Sequence, residues 1–187
     1  MNIYWRWILF FIFSSIPFFG CTYTKAPLSD LAADSQHVIT SETPNAARSD
    51  CDTLVITCID YRFAVANQEF INNTLGLKDH YDHISIPGSI YNLINQETRS
   101  LLFSRFTSSM RHHLIKRVVI IGHKDCGGYG GSSAFGSEIA EHEYLCTDLR
   151  RARALIIEKY PTLDVDLFLE SLHHEADKVR VRFEKIL

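Results

Sequence analysis

Thr53-Leu54-Val55-Ile56-Thr57-Cys58-Ile59 is a continuous β-branched and apolar run, and Arg117-Val118-Val119-Ile120-Ile121-Gly122 is a second. Each has the length of one strand and lacks the polar alternation of a half-solvated strand. Both therefore read as strands buried on two faces, as in a parallel sheet. Between them, Val65 to Leu75 carries apolar residues at helical spacing and stops at Gly76, a plausible C-cap. His83 to Ile86 reads as a short strand ending at Pro87-Gly88. Asn95 to Leu114 is a long helix candidate with Leu101, Leu102, Phe106, Met110 and Leu114 along one side. Beyond the second run, Ser137 can cap a helix reaching Tyr160, with Ile139, Leu145, Leu149, Ala152 and Ile156 as its stripe. Asp164–Leu172 and Val179–Ile186 read as two further strands around a polar turn that contains His173 and His174. Buried strands alternating with helices predict an α/β fold: a mostly parallel central sheet flanked by helices.

Composition narrows the function classes. The chain has 187 residues and a formal net charge of −3, without the basic excess of a nucleic-acid binder. Five cysteines are too few to build a disulfide scaffold of this size. The aromatics are uneven: 8 of the 22 fall in residues 1–20, where Arg6 is the lone charged side chain. A charged start, an apolar run from Ile8 to Phe19 and the small Gly20 are the parts of an export signal. The run is shorter than the roughly 20 apolar residues a spanning helix needs. Cys21 follows directly, and a small residue followed by cysteine resembles a bacterial lipoprotein signal, in which that cysteine is lipidated. The expectation is residues 1–20 as a lipoprotein-type signal peptide, 21–50 as a tether or flexible arm, and 51–187 as the folded domain, with an uncleaved signal anchor or an ordinary cleaved signal as the alternatives for residues 1–20. The protein is then exported to the periplasm and membrane-anchored through Cys21.

Two short segments carry chemistry, each at the carboxyl end of one of the buried strands. They are Cys58-Ile-Asp60-Tyr-Arg62 and His123-Lys-Asp-Cys126-Gly127. Ligands gather at the carboxyl ends of strands in parallel α/β sheets. Two cysteines and a histidine converging there make a three-ligand zinc set, and one loop can present both His123 and Cys126. Singly, Cys58 reads as a core thiol, Asp60 and Arg62 as a strand-end ion pair and His123 as a satisfied loop histidine. The Gly127–Gly131 run lacks the lysine and the spacing of a phosphate loop.

The pair Cys-x-Asp-x-Arg and, some 60 residues on, His-x-x-Cys resembles the β-class carbonic anhydrases. That resemblance implies zinc held by Cys58, His123 and Cys126. It implies that Asp60 accepts a hydrogen bond from zinc-bound hydroxide or serves as fourth ligand in a resting form, and that Arg62 holds Asp60 away from the metal. The implied activity is reversible hydration of CO2 to bicarbonate, in a homodimer or higher homo-oligomer. Ile84–Ile90 stands where many members carry an Arg-Asn-Ala-Asn-like segment, and Ser49 where they often carry glutamine. The alternatives are therefore hydrolysis of carbonyl sulfide or carbon disulfide, or a non-catalytic zinc-binding lipoprotein. His80, His83, His112, His113 and His142 are proton-shuttle candidates by residue type alone. Cys51 and Cys146 remain, either paired or as two free thiols, with the free state preferred. His112-His113 and His173-His174 read as solvated.

Overall fold

A computed structural model describes residues 51–187. The expected signal (1–20), Cys21, the arm (21–50) and Ser49 lie outside the described residues. Strands β1 (Thr53–Thr57), β2 (Asp82–Ser85), β3 (Arg117–His123), β4 (Asp164–Glu175) and β5 (Lys178–Ile186) form one sheet in the order β2-β1-β3-β4-β5. The first four are mutually parallel, and β5 closes the edge as the antiparallel arm of a hairpin with β4. The expected α/β class with a mostly parallel sheet is what is found.

β1 is buried throughout and β3 from Val118 onward, as their apolar composition requires. Their side chains alternate between two apolar layers. Leu54, Ile56, Val118 and Ile120 face a large cluster with Leu102, Phe106, Leu145, Leu149 and Ile156. Val55, Val119 and Ile121 face a smaller one with Ile71, Leu77 and Phe168. The large layer is covered by α2 (Tyr91–Ile94), α3 (Gln96–His112) and α4 (Glu138–Lys159), and the small one by the π-helical turn Phe70–Thr74 that continues α1 (Tyr61–Glu69). Phe70 stacks on Phe183 of β5 at 4.0 Å between ring centroids, sealing that thinner face.

Local signals set the helix ends. The Ser137 hydroxyl accepts from the Ala140 amide at 3.1 Å, and the Asn95 side chain accepts from the Glu97 amide at 2.8 Å. Gly76, at φ +68°, takes the left-handed conformation just beyond the π turn, as its C-cap reading requires. Three expectations need correction. The first helix starts at Tyr61 rather than Val65, because Asp60 caps it. β1 ends at Thr57, so Ile59 leaves the sheet and is exposed. Leu101, Leu114 and Ile139 face solvent; Phe103, beside Leu102 and Phe106, fills the stripe instead. Among the described residues, no helix is long and apolar enough to cross a membrane.

Candidate metal centre

The chain turns sharply at the carboxyl ends of β1 and β3, and the predicted site residues meet there. Cys58 is the first residue past β1, His123 is the last of β3, and Cys126 follows three residues later. One ligand atom from each lies within 4.8 Å of the others. A tetrahedral zinc with Zn–S of about 2.3 Å and Zn–N of about 2.0 Å needs donor separations of roughly 3.5–3.8 Å, inside that bound.

The donors are already aimed. The Nδ1 of His123 lies 2.8 Å from the Lys124 carbonyl, which can only accept, so Nδ1 carries the proton. Nε2 is then the bare nitrogen, and it is buried without a hydrogen-bond partner. A buried orphan acceptor costs about 1–3 kcal/mol, and a metal would satisfy it. The Phe63 ring, 4.7 Å from the imidazole, holds its plane. The Gly88 amide donates to the Cys58 sulfur at 3.3 Å. A hydrogen bond from Cys126 draws the Cys58 thiol well below its ordinary range, and the hydrogen bond with Cys58 together with burial pushes Cys126 up. Two sulfurs that cannot both ionise side by side are a donor set suited to a divalent cation. The Gly88 approach requires glycine at 128 as well, since a Cβ there would lie 2.7 Å from the Gly88 Cα.

Asp60 and Arg62 stand beside this cluster. Arg62 Nη2 donates to Asp60 Oδ2 at 2.7 Å, and Nε lies 3.1 Å from both carboxylate oxygens. Asp60 Oδ1 also accepts from the Arg62 amide at 3.0 Å, so one carboxylate caps α1 and engages the guanidinium. These bonds from Arg62 hold the Asp60 carboxyl below the usual range. Asp60 Oδ2 is 4.0 Å from His123 Nε2. The other side of the fork grips Asp125, through Nη1 to Oδ2 at 2.7 Å and Nη2 to the carbonyl at 3.0 Å. Asp125 has φ +55°, and its amide donates to Oε1 of the buried Glu141 at 2.7 Å. Arg62 therefore ties the loop after β1 to the loop after β3. A cleft of about 880 Å³ opens over these residues, walled by Ile59, Pro87 and the backbone of the glycine run.

Asp125, Glu141, Asn67 and Glu170 were not anticipated from sequence. Glu170 is the most informative, because a carboxylate inside the buried run Leu167-Phe-Leu-Glu170 is a signal in itself. It pairs in register with His123 across the β3–β4 ladder and is fully buried. Asn67 Nδ2 donates to its Oε1 at 3.2 Å, while Oε2 has no partner. Burial raises its pKa to about 8. Because the folded state holds this proton more tightly than the unfolded chain, Glu170 favours folding below about pH 4.5. That contribution fades as pH rises towards about 8. Glu170→Gln keeps the acceptor for Asn67 and removes the titration. Its melting temperature should therefore exceed that of the parent above pH 8 and converge with it near pH 5, as followed by circular dichroism. Equal differences at both pH values would refute the assignment.

The five histidines named as shuttle candidates do not line the cleft. His83 Nε2 bonds Thr57 Oγ1 at 2.8 Å, and His142 pairs with Glu184 at 2.9 Å. His113 is not simply solvated: it pairs with Asp82 at 2.8 Å. Cys51 and Cys146 are separate thiols.

Residues 48–175 match the family model described as "Putative carbonic anhydrase". An uncharacterized protein of Rickettsia conorii is 28% identical over 137 residues, covering 70% of this chain and 73% of its own. One from Rickettsia bellii is 27% identical over 140 residues, covering 72% and 85%. Among solved structures, a β-carbonic anhydrase of Aspergillus fumigatus aligns with a TM-score of 0.47 at 15% identity, over 74% of this chain and 79% of its own.

Proposed function

Because the chain belongs to the putative carbonic anhydrase family, we propose that it is a zinc-dependent enzyme interconverting CO2 and bicarbonate. The observation that carries this reading is the Asp60–Arg62 pair standing directly beside the Cys58/His123/Cys126 cluster, with Asp60 Oδ2 4.0 Å from His123 Nε2. A structural zinc clasp needs neither the acid nor the arginine.

Cys58, His123 and Cys126 would hold the metal. When bound, zinc supplies the Lewis acidity that makes water a nucleophile near neutral pH. The chain does the rest. Asp60, kept ionised by Arg62, is an acceptor that orients the O–H of the attacking water and fixes the direction of its lone pair. Arg62, held from behind by Asp125, keeps the carboxylate turned into its fork. Ile59 and Pro87 offer apolar walls against which a small linear substrate can lie. The cleft is open, so bicarbonate can leave and the product proton can pass to solvent.

Pro87 favours a second reading, hydrolysis of carbonyl sulfide or carbon disulfide. It places an apolar ring in the cleft, within the segment where many relatives of this class carry polar residues. Stopped-flow assay of the zinc-loaded chain with CO2, and in parallel with carbonyl sulfide, separates the readings. The expected result is CO2 hydration well above the spontaneous rate, abolished by chelation and restored by zinc. No acceleration between about pH 7 and about pH 9 at full zinc loading would overturn it.

Export, lipidation at Cys21 and periplasmic anchoring belong to the same proposal. They rest on residues 1–21 of the sequence, with the arm 21–50 linking anchor to domain.

A further inference from the structure

We propose that Cys51, Asp82 and His113 form a second divalent-metal site, at the end of the sheet opposite the first. Three chain segments converge there. Cys51 lies two residues before β1, Asp82 opens β2 opposite Leu54, and His113 is the C-cap just past α3. A sulfur, a carboxylate oxygen and an imidazole nitrogen from these residues lie within 4.8 Å of one another. Cys51 and Cys58 are separated by the length of β1, on the order of 20 Å, so no single ion serves both clusters.

The donor set selects the ligand class. A thiolate and a carboxylate neutralise a divalent charge, and mixed sulfur, nitrogen and oxygen donors suit zinc or cobalt rather than calcium or magnesium. All three residues are half-buried, dry enough to strengthen binding yet reachable. The geometry is held in advance: Asp82 Oδ2 accepts from the Ser109 hydroxyl at 2.5 Å and from His113 Nδ1 at 2.8 Å. A cavity of about 540 Å³ borders the cluster, with His112 and Arg105 on its wall. Among the described residues lining this cavity, Arg105 carries the one fixed positive charge. On binding, the Cys51 thiol proton goes to solvent and the His113 proton moves from Nδ1 to Nε2, freeing Nδ1 for the ion. Binding therefore releases one proton per ion and tightens as pH rises.

Cobalt(II) is the probe that keeps this site distinct from the Cys58/His123/Cys126 centre. The metal-free full chain should take up about two equivalents, with thiolate-to-cobalt absorption from both centres. A Cys58→Ser/Cys126→Ser variant, which removes the first centre, should still bind about one equivalent with a weaker thiolate band. Adding His113→Ala to that background should abolish this uptake, and adding Asp82→Asn should weaken it at least about tenfold. Circular dichroism melts establish that each variant is folded. The proposal is overturned if the Cys58→Ser/Cys126→Ser variant binds no cobalt. It is equally overturned if that variant's uptake survives both His113→Ala and Asp82→Asn.

Discussion

Cys58→Ser should strip zinc from the first centre while leaving the sheet folded. The exchange replaces a sulfur with an oxygen at a half-buried position just past β1, so little packing is lost. The electronic change is much larger. A serine hydroxyl stays protonated near neutral pH, whereas the Cys58 thiol is drawn well down by Cys126 and by the Gly88 amide. One anionic ligand disappears, and Cys126 loses the neighbour with which it would share the metal. Full structural zinc sites are worth about 10–16 kcal/mol, so losing one of their ligands should weaken binding by on the order of a hundredfold or more. Zinc retained against a competing chelator, measured by elemental mass spectrometry, should fall by about one equivalent per chain, with the circular dichroism spectrum unchanged. Retention at the parent level would remove Cys58 from the ligand set and with it the proposed chemistry.

The convergence of Cys58, His123 and Cys126 was legible because its two halves are each local. Cys58 and the pair His123/Cys126 follow runs so apolar that only a buried strand could hold them, and β1 and β3 do pair directly. That pairing brings residues 65 apart in sequence to one place. What escaped the sequence was the second ring of contacts. Glu170 meets Asn67 across a sequence separation of 103 residues, and Arg62 meets Asp125 across 63. No periodicity encodes such pairs, since they exist only once strand order and helix placement are fixed. The exposed Leu101, Leu114 and Ile139 failed for a related reason. A helical stripe says which side is apolar, but how wide a band is covered depends on the sheet beneath it. Local caps, by contrast, are written within three or four residues, and the one at Ser137 was found where expected.

Asp60→Asn should keep the zinc and lose most of the turnover. Asparagine is nearly isosteric and caps helices as well as aspartate does, so α1 should persist. The charge and one acceptor oxygen are lost. The Arg62 fork now faces an amide, and the NH2 group is a donor where the attacking water needs an acceptor. Interactions of this kind contribute about a hundredfold to ten-thousandfold in rate. Stopped-flow hydration should therefore show kcat reduced by at least about a hundredfold, with zinc content unaltered. Arg62→Lys tests the same pair from the other side. Lysine cannot bridge Asp60 and Asp125 together, so the Asp60 carboxyl should rise from its depressed position towards the ordinary carboxylate range. In the proposed mechanism Asp60 acts as its carboxylate, so the acid limb of the pH–rate profile should move to higher pH in this variant. Any folding stability the pair supplies is present above the unfolded carboxylate range and lost as pH falls, so acid unfolding should likewise begin at higher pH. An unmoved acid limb together with parent-level turnover in Asp60→Asn would leave the pair as a helix cap and loop tie, with no part in orienting water.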